Sequence, residues 1–222
     1  MVPPTAVLFS AGVDSAVLLA QAARHGPAIP LHVSVGLAWE GTELEIATRL
    51  LATPPYAHAR PLVRLSLEMR DVYPASHWAV RGEAPAFDTP DEDVYLEGRN
   101  IVLLAKAAVY MAREKLSRVL LGPLAGNPFP DATAEFFSVM QRALSTGLNH
   151  SIEIATPFAT LHKEEVIKLG ASLGVPFQLT LSCMQPVQGL HCGRCSKCRE
   201  RRDAFREAGV SDPTDYATAP IR

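Results

Sequence analysis

The sequence predicts an α/β fold: a doubly wound parallel sheet followed by a small C-terminal module that binds a metal. Three observations predict it. Short apolar runs alternate with segments of helical periodicity over residues 5–174, the signature of parallel strands covered by helices on both faces. A turn of small residues, Ser10-Ala11-Gly12-Val13-Asp14-Ser15, joins the first run to the first helical segment. All four cysteines fall between residues 183 and 198.

Residues 5–9 (TAVLF) are apolar with β-branched character and are bounded by Pro and Gly signals, so they read as a buried strand. Residues 16–23 (AVLLAQAA) read as a helix ending near Gly26-Pro27. Residues 31–35 (LHVSV) and 62–65 give the second and third strands, with a helix over 43–51 (ELEIATRLL) between them. Residues 74–97, rich in Pro, Asp and Glu, break the alternation and read as a long loop or partly ordered insertion. Periodicity resumes with Ile101, Leu104, Ala105, Ala108, Val109 and Ala112, spaced for one face of a helix. A strand over 119–121, a helix over 132–144, a strand over 152–155 and a helix over 162–173 closed by Gly174 follow. Composition changes past residue 180, which sets the expected domains at 1–180 and 181–222.

The length of 222 residues fits one domain, or one domain with an appendage. A net charge of −2 lacks the basic excess of general nucleic-acid or membrane-surface binders. No basic, then apolar, leader marks a signal peptide, and no run approaches the length of a membrane span. A cytoplasmic protein is expected. In a reducing compartment four cysteines point to metal or catalysis before disulfides.

The position of the 10–15 turn gives it its chemistry. Unpaired N–H groups and partial positive charge at the first turn of a helix attract phosphate. Gly12 lets the backbone approach an anion without a Cβ in the way. Ser10 and Ser15 add hydroxyl donors, while Asp14 reads as a helix cap or as an acceptor that orients the loop. A plain capped strand-to-helix turn fits the same residues. Neither a Gly-Lys-Ser/Thr ending nor a GxGxxG pattern is present.

Cys183, Cys192, Cys195 and Cys198 have the spacing C-x8-C-x2-C-x2-C. Two C-x2-C steps let thiolates converge on one ion, and four thiolates suit tetrahedral Zn²⁺ in a closed structural site. Gly193 supports the tight turn, and Arg194, Lys197, Arg199 and Arg201 supply charge that favours thiolates. An iron–sulfur pattern wants a further cysteine where Arg202 stands, which weakens that reading; disulfides or free thiols also fit four cysteines at this spacing.

The 10–15 turn resembles the SGGxDS signature of pyrophosphatase-loop ATPases, with Ala11 in place of a glycine and its methyl expected to crowd the pyrophosphate. Four more segments narrow the resemblance: Gly98-Arg99-Asn100, residues 122–136 (GPLAGNPFPDATAEF), residues 157–174 (PFATLHKEEVIKLGASLG), and Ser182-Cys183 with the later CGRCSKC. In this order they resemble the 7-cyano-7-deazaguanine synthase family over nearly the whole chain except about residues 36–97.

The resemblance implies a doubly wound, adenine nucleotide α-hydrolase-like sheet with ATP at the carboxyl ends of its strands, and a structural zinc on the four cysteines. It implies adenylation of 7-carboxy-7-deazaguanine by ATP with Mg²⁺, attack by ammonia, and a second activation that turns the amide into a nitrile. By position, Arg99 and Asn100 correspond to a pair lining the nucleotide and substrate pocket. Lys163 corresponds to a lysine near the phosphates, and Asp131 to a carboxylate facing the guanine-like edge. Each has a plainer alternative: Arg99 as a solvated surface charge, Asp131 as an N-cap for the helix after it. Lys163 near a helix N-terminus needs an anion close by. His162 and His191 read as surface groups or supports of neighbouring residues, Trp39 and Trp78 as packing.

The chain departs from the family at Gly36-Leu37-Ala38-Trp39-Glu40-Gly41 and at residues 126–132, both expected at the base pocket. A paralogous ligase using another acid or amine therefore stands as an alternative, as does a tRNA-modifying pyrophosphatase-loop enzyme that grips RNA with its basic knuckle. Charge argues against nucleic acid as a partner; a homodimer is expected by resemblance alone.

Overall fold

The computed structural model describes residues 2–218. Five strands form one sheet: β1 Thr5–Leu8, β2 Ala28–Ser34, β3 Val63–Ser66, β4 Arg118–Leu120 and β5 Glu153–Ala155, in the order β3-β2-β1-β4-β5. Every pairing is parallel. Seven α-helices are described: α1 Val13–His25, α2 Glu40–Leu51, α3 Trp78–Arg81, α4 Arg99–Glu114, α5 Ala134–Leu148, α6 Lys163–Ser172 and α7 Ser196–Ala208.

Alternation along the strands covers both faces of the sheet. Val7 and Leu120 turn to one face and share an apolar cluster with α1, α2, α6 and α7. Their neighbours Ala6 and Val119 turn to the other and pack with Leu31 under α4 and α5. Strand order reverses between β1 and β4, so a crevice opens there at the carboxyl ends of the strands. On the first face α6 lies close against α1. A Cβ added at Gly170 would meet Val17 and Phe177 side chains at 2.6 Å, so glycine is what permits this approach.

The expected strands and helices occur, with shifted ends. The helix expected from residue 16 begins at Val13, because Ala16 N already donates to Gly12 O at 2.9 Å. The helix expected from residue 43 begins at Glu40, with Glu43 N donating to Trp39 O at 3.0 Å. The helix expected over 132–144 runs over Ala134–Leu148 and is capped by Thr133, whose side chain accepts from Phe136 N. Gly174 adopts φ 73 just past α6, as a chain leaving a helix requires.

The 74–97 segment is more ordered than its composition suggests. It contains α3, and its Ala79, Val94 and Leu96 join Val35, Trp39, Tyr73 and Met184 in a third apolar cluster. Tyr73 Oη donates to Glu97 O at 2.6 Å. Arg199 on α7 donates to Phe87 O and Thr89 O at 2.7 and 3.0 Å. Distant partners hold this segment, and local composition does not encode them.

Arg201 fastens the C-terminal segment and is 1% exposed. Its guanidinium donates to Phe177 O, Thr180 Oγ1, Ser182 Oγ and Thr214 Oγ1 at 2.6–3.2 Å. Arg202 donates to Gly193 O and lies over the Tyr216 ring at 3.9 Å. Arg199, Arg201 and Arg202 of the knuckle thus serve internal contacts, while Arg194 is exposed. Among the described residues no helix is long and apolar enough to cross a membrane.

Candidate nucleotide and acid site

At the crevice between β1 and β4 lies a cavity of about 440 Å³. Ser10, Gly12, Val13 and Asp14 of the first turn line it, opposite residues 122–129 of the segment after β4. Gly12 sits at the N-cap of α1 with no side-chain cap bond, so the helix's first N–H groups keep their affinity for an anion. Ser15 Oγ donates to Gly12 O at 3.1 Å and accepts from Ser10 N at 3.3 Å, which closes the turn.

Ala11 lines no part of this cavity. It is fully buried in the α1 cluster at φ 58, and its carbonyl accepts from Leu181 N at 2.9 Å. The expected crowding of pyrophosphate by its methyl is therefore corrected: the methyl packs in protein, and the departure from glycine acts on backbone conformation.

Asp14 does not cap α1. Its Oδ2 pairs with Lys163 Nζ at 2.7 Å, and its Oδ1 is buried without a partner. Lys163 also meets Glu200 at 3.0 Å, and Glu200 meets Lys197. These anions answer the mismatch of a lysine at the start of α6. Burial disfavours the Lys163 ammonium, yet Asp14 and Glu200 together push its pKa above the ordinary lysine value. Glu200 is opposed by burial but drawn down to about 2 by Lys163 and Lys197. All four groups line the cavity, as does Arg99, whose Nε is buried without a partner. Lys197 carried no individual signal in the sequence beyond its place between two cysteines.

A second cavity of about 250 Å³ adjoins the first, sharing Ser10, Arg99 and Phe129 and reaching His32, Val33, Asn100 and Phe137. Asp131 lines neither cavity. It is 5% exposed; its Oδ2 accepts from Asn100 N at 3.0 Å, and its carbonyl accepts from Asn100 Nδ2 at 2.9 Å. Burial raises the Asp131 pKa against these hydrogen bonds. In this geometry Asp131 secures the first turn of α4, and with it Arg99, instead of facing a substrate or capping α5.

Trp39 packs as expected, 4% exposed and stacked on Trp78 with ring centroids 5.8 Å apart, but it also lines the first cavity. Beside it stands Glu43, a cavity residue that sequence reasoning missed, paired with His32. Glu40 turns back to accept from Val35 N and Gly36 N, and burial raises its pKa. His162 is at the N-cap of α6, its N–H donating to Glu165 at 2.8 Å. His191 is 5% exposed, and its Nε2 accepts from Ser182 N at 3.0 Å. Burial holds its pKa at about 3, so it supports the Cys183 segment as a neutral ring.

The four cysteines are buried and free of disulfides. Their ligand atoms lie within 4.8 Å of one another, with Sγ···Sγ separations of 3.9, 3.9 and 3.5 Å for the pairs 183/195, 192/198 and 195/198. A single ion with four thiolates at about 2.3 Å requires sulfurs about 3.8 Å apart. Gln185 N and Cys192 N donate to Cys183 Sγ, and Arg194 N donates to Cys192 Sγ, bonds that favour thiolates. The donor set fits one metal ion.

A parallel α/β sheet with an open helix start at its switch point and cations across the crevice defines an α/β protein with an anion-binding crevice. The chain matches the model of "Queuosine biosynthesis protein QueC" over residues 5–209, and it belongs to that family. It is 35% identical to a 7-cyano-7-deazaguanine synthase of Anaeromyxobacter dehalogenans, covering 95% of this chain and 94% of that one. It is 34% identical to one of Methanoculleus marisnigri, over 94% and 96%. Two solved structures share the fold. A predicted tRNA methyltransferase subunit of Methanocaldococcus jannaschii has TM-score 0.52, 15% identity and coverage of 95% and 90%. The U34-tRNA thiolase NcsA of Methanococcus maripaludis, described with a [4Fe-4S] cluster, has TM-score 0.51, 11% identity and coverage of 98% and 76%.

Proposed function

We propose that this enzyme is an AMP- and pyrophosphate-forming ligase that makes 7-cyano-7-deazaguanine from 7-carboxy-7-deazaguanine, ATP and ammonia. The observation that carries the reading is one cavity uniting the open N-terminus of α1 with Arg99, Lys163 and Lys197. Phosphates seat on the first-turn amides. The substrate carboxylate is its own nucleophile: its oxygen attacks the α-phosphorus and the bond to pyrophosphate breaks. Arg99 and Lys163 offset charge on the α-phosphate and the departing pyrophosphate. Ammonia displaces AMP to give the amide. The amide oxygen attacks the α-phosphorus of a second ATP, releasing pyrophosphate, and loss of AMP and a proton leaves the nitrile.

The second cavity, with Val33, Leu103 and Phe137 in its wall, suits the adenine ring. Asp131 and Asn100 hold Arg99 in place. Mg²⁺ fits the unpartnered Asp14 Oδ1, a hard oxygen at the cavity wall; when bound, it supplies charge neutralisation between phosphates. Zinc is the metal best matched to the four thiolates, in a closed site that leaves no open position for chemistry.

Incubation with ATP, ammonium and 7-carboxy-7-deazaguanine tests the function. Pyrophosphate and AMP that depend on the acid, with the nitrile as product, are expected. Pyrophosphate release that ignores the acid, or appears only with another acid or amine, overturns it.

A further inference from the structure

Trp39 and Glu43 stand one turn apart at the start of α2, so their side chains leave the same face of the helix. Both line the larger cavity while 4% and 6% exposed. Among the described residues Glu43 is the one buried carboxylate in that lining. The partly exposed Asp14 and Glu200 are neutralised by lysine. Glu43 has no lysine or arginine: its Oε2 lies 3.2 Å from His32 Nε2. Ser34 Oγ lies 3.4 Å from His32 Nδ1, so both ring nitrogens have a polar neighbour. The carboxylate is thereby fixed in rotation, with acceptor capacity left over.

A buried carboxylate needs donors for the acceptor positions that its protein partners leave open. A ligand with two parallel N–H donors meets that need in the geometry a carboxylate prefers. Asp131, buried and lining neither cavity, is already bonded to Asn100. We propose that Glu43 selects the heterocycle: it accepts from the ring N–H and exocyclic amine of a 2-amino-4-oxopyrimidine edge, with the ring against Trp39. The acid group then points toward Arg99, Lys163 and Lys197. This inference rests on the proposed function and adds the residue that reads the ring.

The test compares kcat/KM for 7-carboxy-7-deazaguanine and for its analogue with hydrogen in place of the 2-amino group, read by pyrophosphate release. Wild type is expected to prefer the amino compound by about ten- to a hundredfold, the usual worth of a two-bond contact. Glu43→Gln keeps a polar group beside His32 but turns an N–H toward the ring's donors. It is expected to bring the ratio near one, with KM for ATP and the unfolding temperature unchanged. A merely structural role would lower activity on both acids and leave the ratio intact. A ratio retained in Glu43→Gln, or absent in wild type, overturns the assignment while the function stands. No acid-dependent pyrophosphate from wild type overturns both. The wild-type comparison holds whether or not the variant folds.

Discussion

Lys163, the first residue of α6, reaches Asp14 in the first turn of α1, 149 positions earlier, with Nζ 2.7 Å from Oδ2. Glu200 of α7 meets the same ammonium at 3.0 Å. One side chain thus joins the start of α1, α6 and the helix that carries Cys195 and Cys198 at its start.

Lys163→Ala removes a cation from the cavity and leaves two part-buried carboxylates facing one another. Turnover is expected to fall about a hundred- to a thousandfold, the effect of losing one positioned charge at a reacting phosphate. Stability is expected to fall by about 1–3 kcal/mol. Acid-dependent pyrophosphate release and thermal unfolding, measured on the same preparation, separate the two losses.

Removal of the metal is expected to loosen α7 and with it Glu200. A strong chelator should lower the unfolding temperature and weaken ATP binding together, because a closed four-thiolate site contributes folding energy directly. X-ray absorption on the purified protein is expected to show zinc in a four-sulfur shell. A cluster signature in place of single-ion zinc, or ATP binding that survives metal loss, would refute this coupling.

Ala11→Gly is expected to be nearly neutral. Glycine relieves the left-handed backbone at φ 58, a gain of about 1 kcal/mol, but raises the entropy of the unfolded chain by about the same amount. Its missing methyl lies in the core, so KM for ATP should be unchanged. A large fall in that KM would show that the methyl does meet the nucleotide.

Arg201→Met is expected to cost about 3–5 kcal/mol, because several buried oxygens lose their donor at once. Denaturant unfolding checks the size, and the loss should exceed that of Arg206→Met on the exposed side of α7.

Local pattern carried most of the sheet domain. Strands and long helices declare themselves because burial on two sides imposes a run, and burial on one side imposes a period. Their ends moved by a few residues because caps and first turns depend on the loops before them, as where Gly12 and Trp39 begin α1 and α2. The 74–97 insertion was illegible: its order comes from Arg199, Tyr73 and the Trp39–Trp78 stack, partners its composition does not announce. Asp131 and Glu43 were equally hard to rank, since one carboxylate in a sequence looks like another until burial and neighbours are known.

By itself the sequence determined the α/β order, the grouping of the four cysteines and the family, because each rests on residues close in the chain or on fixed spacing. Only the tertiary structure decided that Lys163 stands on Asp14 and Glu200, that Asp131 serves Asn100, that Ala11 points into the core, and that Glu43 faces the cavity. Those are meetings between elements brought together at the switch point of the sheet. Their geometry follows from how the helices pack, which no local spacing encodes.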